Sequence, residues 1–224
     1  MKREPFQIPV IYDLLPDLTD ARVFTKVDLA SDFWHLELDG ESSMLTTFAT
    51  LYGRYRWLRL PFGLSVSSEI FQKRLHQELQ VLPGVKCIAD DVLIHGTNEA
   101  DHDSNLDGFM RRCQQKGMKL NAEKLEYNCK EVAFHGHQLT TEGLKPDPEK
   151  VRAIVQMPRL KYRDDILRLN GMVNYLSRFL PHLCDVIKPL RDLTHKNAAC
   201  CWNDLQEKAW NDVKKLIASA PVLA

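Results

Sequence analysis

Two carboxylates stand side by side inside an apolar stretch: Val85-Lys86-Cys87-Ile88-Ala89, then Asp90-Asp91, then Val92-Leu93-Ile94-His95. A two-residue insert between β-rich runs predicts a tight hairpin with the doublet at its tip. Adjacent carboxylates repel, and burying either is costly unless a cation or hydrogen-bond donors compensate. Two readings follow. Asp is favoured in hairpin turns, where water solvates it. Alternatively the doublet holds a divalent metal, because carboxylate oxygens suit Mg²⁺, and a third carboxylate must then come from elsewhere. Asp28 is the candidate, at the end of the run Val23-Phe24-Thr25-Lys26-Val27; its plainer role is to cap the following turn. Pattern alone does not rank Asp28, Asp32, Asp90 and Asp91.

The surrounding pattern alternates strand and helix. Val23–Val27 is β-branched and aromatic, and Trp34-His35-Leu36-Glu37-Leu38 alternates apolar with polar, so both read as strands. Thr46–Thr50 and Tyr55–Leu58 flank Tyr52-Gly53, which predicts a hairpin with Gly53 in its loop. Ser67-Ser68 opens a helix bearing Phe71, Leu75 and Leu79, ended by Pro83-Gly84, with Ser as its cap. Leu106, Phe109, Met110 and Cys113 form the stripe of another, ending near Gly117. The acids around His102 read as its solvated first turn. Lys130–Phe134 reads as strand and His135-Gly136-His137 as turn. Beyond Thr140 the signals are helical: Asp147-Pro148 opens a helix, and stripes run through Ile166–Leu176, Leu183–Leu190 and Trp210–Ile217. Pro189 must kink its helix or bound it, and Asn203 with Gln206 suggests a capping box. The class is α+β with a helical appendage.

Composition narrows the function. Charged residues are 27% and hydrophobic ones 44% of 224, which excludes a disordered tail or a collagen-like rod. No apolar run reaches bilayer length and no signal peptide is legible, so no membrane partner is expected. Six cysteines without a regular framework read as reduced thiols. No Gly-x-x-x-x-Gly-Lys loop or serine elbow occurs. Net charge is zero, yet residues 1–139 carry 16 basic and 20 acidic side chains (−4), and residues 140–224 carry 14 and 10 (+4). An acidic first part suits cations, and a basic second part suits phosphates.

At this point the motifs carry a resemblance. Phe24–Trp34, which contains Asp28, is similar to the first catalytic motif of reverse transcriptases from gypsy-type LTR retrotransposons. Leu60-Pro61-Phe62-Gly63-Leu64-Ser65 with Ile70-Phe71-Gln72 resembles their second motif. Cys87-Ile88-Ala89-Asp90-Asp91-Val92-Leu93-Ile94 stands where their Tyr-x-Asp-Asp belongs. Gly117–Asn121 and Phe134–His137 resemble the fourth motif and the primer-grip hairpin. Asp147–Val151, Asn174–Phe179 and Ala220–Leu223 resemble the thumb and the start of the connection segment.

The resemblance implies a polymerase palm with an antiparallel sheet, helices and partial fingers over residues 1–142. A mostly helical thumb and the start of the connection segment follow over residues 143–224. It implies RNA-directed DNA polymerisation: Asp28, Asp90 and Asp91, with the Leu29 carbonyl, as ligands of two Mg²⁺ ions (Mn²⁺ the alternative). Phe33, Phe62 and Gly63 would bind the nucleotide, with Phe33 as the gate against a ribose 2′-hydroxyl, although Phe33 read by itself is a core residue. Phe134, His135, Gly136 and His137 would grip the primer. The implied partners are an RNA or DNA template with its primer and deoxynucleoside triphosphates. The implied setting is a cytoplasmic polyprotein that also carries RNase H and integrase. The sequence departs from the pattern at three places: Ile88 replaces a Tyr, Asp32 a Gly, and Ser67-Ser68 an Ala-Pro. The chain is expected to begin after the fingers strands that clamp the triphosphate; Arg54, Arg56 and Arg59 read as a solvated strand face before they read as substitutes. The alternative function is an inactive or host-retained fragment that only binds nucleic acid.

Overall fold

The computed structural model describes residues 6–160, 162–195 and 202–223; the Cys200-Cys201 pair lies outside them. The chain divides into two compact units, Met1–His135 and Gly136–Ala224.

In the first unit, α1 (Ile11–Leu18) leads into β1 (Val23–Asp28). A 3₁₀ turn (Asp32–His35) and the short α2 (Gly40–Leu45) follow. Next come the two-stranded ribbon β2 (Phe48–Thr50) and β3 (Gly53–Tyr55), and α3 (Ser67–Leu79). The hairpin β4 (Val85–Ile88) and β5 (Asp91–Gly96) precedes the long α4 (Glu99–Lys116), and β6 (Glu126–Cys129) and β7 (Glu131–Phe134) end the unit. The main sheet has the order β4-β5-β1-β6, and its pairs are antiparallel.

Alternation along the strands decides what lies on each face. Val27 of β1, Val85 and Cys87 of β4, and Val92 and Ile94 of β5 share a core with Phe71, Leu75 and Leu79 of α3 and Phe109 and Cys113 of α4. The two helices therefore cover one face. Each of these side chains contributes about 2 kcal/mol by leaving water. Lys26 and Asp28 of β1 and Asp91 of β5 have the opposite parity, so they lie on the other face of the sheet, beside the buried Phe24 and Leu93. The α4 helix is fixed at both ends, by the Asn98 side chain accepting from the Asp101 amide and by Gly117 in the left-handed region (φ 65°).

The second unit pairs β8 (His137–Thr140) with β9 (Gly143–Pro146) and adds α5 (Pro148–Val155), α6 (Arg163–Tyr175), α7 (Leu183–Asp192) and α8 (Asp204–Ala218). Residues 141 and 142 turn between β8 and β9. The predicted stripes form the interior here: Ile166, Leu169, Val173, Ile187, Leu190, Trp210, Val213 and Ile217 are all buried.

Several local expectations differ. Trp34–His35 is wound into the 3₁₀ turn, because Trp34 donates to the Ser31 carbonyl and Leu36 to that of Phe33. Only Leu36–Leu38 is extended, bonded to Leu58 and Leu60. Ser67 does not cap α3: Val66 occupies that position, and the Ser67 hydroxyl donates to the Pro61 carbonyl. His102 is fully buried rather than solvated, its Nε2 at 2.8 Å from the Thr25 hydroxyl. Pro189 neither ends nor bounds α7, which continues to Asp192. Gly53 sits in the first position of β3 rather than in the loop. Among the described residues, no helix is long and apolar enough to cross a membrane.

Candidate functional site

The register of the sheet brings the acidic residues together. Asp28 is the last residue of β1, Asp91 the first of β5, and the two are cross-strand partners, which places their Cα atoms about 5 Å apart. Because Ile88 pairs with Asp91, the two-residue loop is Ala89-Asp90, one position earlier than the sequence pattern places it. Asp91 is thus held on a strand while Asp90 stands in the turn. The exit of β1 is tied on both sides: Leu29 donates to the Asp90 carbonyl at 3.2 Å, and the Asp28 carbonyl accepts from Asn121 at 2.9 Å. Leu29 is buried and bridges to Leu120.

Asp28, Asp90 and Asp91 line one cleft of about 550 Å³, together with Lys26, Glu123, Lys124 and Glu126. Asp28 is 7% exposed, and the Lys124 ammonium donates to its Oδ2 at 2.9 Å. That ion pair raises the Lys124 pKa. Burial pushes the Asp91 carboxyl above its usual range; Lys26 opposes this, and repulsion from Asp90 and Asp28 adds to it. The Lys26 ammonium is 3.8 Å from Asp91 Oδ1 and 3.6 Å from Glu126 Oε1.

The donor set is all carboxylate oxygen, the chemistry of a hard divalent cation. Among the described residues, no three His, Cys, Asp or Glu side chains are drawn together closely enough to hold a metal as they stand. Lys124 instead supplies the positive charge at Asp28. Sequence reasoning missed both lysines. Lys26 had a signal, since it lies two residues before Asp28 and shares its face. Lys124 had none, because it reaches the site from a 3₁₀ turn, Ala122–Lys124, whose approach depends on the pairing of Leu120 with Leu29.

Phe33 and Phe62 are also brought together, with ring centroids 4.8 Å apart, and Phe33 meets Phe71 edge-on at 5.4 Å. Phe33 is half-buried against the core, whereas Phe62 is 58% exposed. Gly63 has φ 87° and open space where a Cβ would stand, so conformation rather than crowding calls for glycine there. Arg59 braces the fold, donating to the Trp34 carbonyl at 2.8 Å and to Glu37 at 2.9 Å. Phe134 is buried at the end of β7, and His135 and Gly136 are both left-handed (φ 46° and 78°). In the second unit, the Gly136 carbonyl accepts from the Tyr175 hydroxyl at 3.1 Å and from the Lys150 ammonium at 3.3 Å. His137 is buried beside them, its Nδ1 3.1 Å from the same hydroxyl.

Comparison with known proteins gives a consistent result. The sequence pattern of the family described as Reverse transcriptase (RNA-dependent DNA polymerase) matches residues 4–139. The chain is 32% identical over 221 residues to the retrovirus-related Pol polyprotein from transposon 297 of Drosophila melanogaster, covering 97% of the chain and 21% of that protein. It is 27% identical over 225 residues to the transposon Tf2-3 polyprotein of Schizosaccharomyces pombe, covering 100% of the chain and 17% of that protein. The chain thus spans about a fifth of the length of these relatives. In fold it is similar to a foamy viral protease-reverse transcriptase in complex with double-stranded DNA, with a TM-score of 0.89 at 21% identity, over 100% of this chain and 40% of that one. The same viral protein in complex with an RNA/DNA hybrid gives 0.86 at 21% identity, over 99% and 31%.

Proposed function

The chain belongs to the reverse transcriptase family, and from that premise we propose that it adds deoxynucleotides to a primer 3′-hydroxyl on an RNA or DNA template. The observation that carries this reading is the register that sets Asp28 opposite Asp91, with Asp90 in the adjoining turn and all three in one cleft. The family implies dependence on a divalent metal. Asp28, Asp90 and Asp91, with the Leu29 carbonyl, would hold two Mg²⁺ ions, which lower the pKa of the attacking hydroxyl and neutralise charge during in-line phosphoryl transfer.

The chain's own groups prepare that site. Lys26, on the strand beside Asp91, stands 3.8 Å from its carboxylate, and Lys124 donates to Asp28, so both acids already face a positive charge. Phe33, backed by Phe71 and flanked by Phe62, offers a ring that would clash with a ribose 2′-hydroxyl. The Phe62-Gly63 turn would line the nucleotide pocket, and residues 134–137 would hold the primer end. We assign residues 1–142 to a palm with partial fingers and residues 143–224 to a thumb and the start of a connection segment. From the resemblance of its motifs to gypsy-type reverse transcriptases, we further infer a parent polyprotein with an adjacent RNase H that acts in the cytoplasm.

Primer extension on a primed RNA template tests the reading. Asp90→Asn should abolish extension while the circular dichroism spectrum stays unchanged. Equal extension by the two proteins overturns the assignment. If neither extends and both bind duplex in a salt-sensitive way, the chain is a nucleic-acid-binding remnant.

A further inference from the structure

Helix α3 carries a glutamine that the site described so far does not use. Gln72 is 0% exposed, and a carboxamide buried that completely must find partners for its polar atoms. It finds them on the β4–β5 hairpin. Its Nε2 donates to the Cys87 carbonyl at 3.3 Å, and its Oε1 accepts from the Ala89 amide at 2.5 Å. Strand β4 is the edge of the sheet. With Ile88 and Asp91 closing the loop, the Cys87 carbonyl and the Ala89 amide both point away from β5. The carboxamide meets this pair as the peptide group of a neighbouring strand would.

What it braces is unusual backbone. Ala89 has φ 54°, a left-handed conformation that a residue with a Cβ keeps only where its surroundings hold it. The next two residues are Asp90 and Asp91. A change of conformation at Ala89 would redirect both carboxylates relative to Asp28.

We propose that Gln72 is a positioning residue for the carboxylate doublet: its side chain locks Ala89 in the left-handed turn and so fixes where Asp90 and Asp91 stand opposite Asp28. This rests on the polymerase reading above and deepens it, since Gln72 acts only through the hairpin and touches none of the reacting atoms.

Titration of the full chain with Mn²⁺, followed by the electron paramagnetic resonance of the free ion, tests it apart from activity. Gln72→Met should weaken Mn²⁺ binding about tenfold or more, the usual consequence of losing a group that orients metal ligands. Adding Ala89→Gly should recover part of that loss, because glycine adopts φ near +54° without steric penalty. A purely structural role for Gln72 would not be relieved by a backbone change at position 89. Gln72→Met binding Mn²⁺ as tightly as wild type, or a folded double variant with no recovery, overturns the proposal. A measurement on the wild type needs no variant to fold: the Ala89 amide should resist hydrogen exchange as its strand neighbours do, and exchange as fast as an open loop would also overturn it. Asp28→Asn separates the two levels. If it binds Mn²⁺ like wild type, the carboxylate site itself falls and this proposal with it; if it loses binding while Gln72→Met keeps it, only the role of Gln72 falls.

Discussion

Asp91 is half-exposed at the rim of the sheet, yet burial and two neighbouring carboxylates hold its pKa above 3.8, against the pull of Lys26. A carboxyl raised in the folded state binds its proton more tightly there than in the unfolded chain. Its contribution to stability is therefore present below pH 3.8 and is lost as pH rises through the folded value. Asp91→Asn should remove that dependence and raise the melting temperature at neutral pH, while extension is lost; calorimetry at several pH values checks the sign. At Phe33, replacement by Val should increase the use of ribonucleotides relative to deoxynucleotides by about tenfold or more, read as the ratio of kcat/KM for the two. The carboxylates themselves were legible because an apolar hairpin interrupted by Asp-Asp is chemically conspicuous. The contact of Gln72, a residue of the second motif, with the hairpin was not, nor was Lys124, since a glutamine in an amphipathic helix and a lysine in a polar loop look ordinary until the chain is folded.

Elements were read well where one pattern dominated. The stripe ending at Gly117 and the β-branched, aromatic run of β1 each had a single solution. Misreadings arose where tertiary contacts chose between solutions: Trp34–Leu38 had to deliver a turn as well as the extended Leu36–Leu38 that bridges to Arg59, and His102 was drawn inward by Thr25. The docking of α4 on β5 depends on a close approach at Gly96, where an added Cβ would collide with the backbone of His102. Gly96→Ala should destabilise the protein by about 2–3 kcal/mol, far beyond an ordinary surface change, as measured by urea unfolding. Gly136→Ala should also destabilise, because a Cβ there would stand 2.5 Å from both the Lys150 ammonium and the Tyr175 hydroxyl, on backbone at φ 78°.

Across the whole chain, charge is arranged by sequence: −4 in residues 1–139 and +4 in residues 140–224. If the basic part follows a phosphate backbone, affinity for a primed duplex should fall by about tenfold or more between 50 and 200 mM salt, measured by fluorescence anisotropy. The α+β class and the helical second part were legible from periodicity. The compact unit that begins at Gly136 was not, because nothing local says that a hairpin groups with the helices after it. The ammonium of Lys124 on Asp28 has a practical corollary for handling the protein. A preparation stripped of divalent ions by chelator keeps a built-in placeholder among its acids. Lys124→Met would remove that placeholder, and its heat resistance should then improve with added magnesium more than that of the parent.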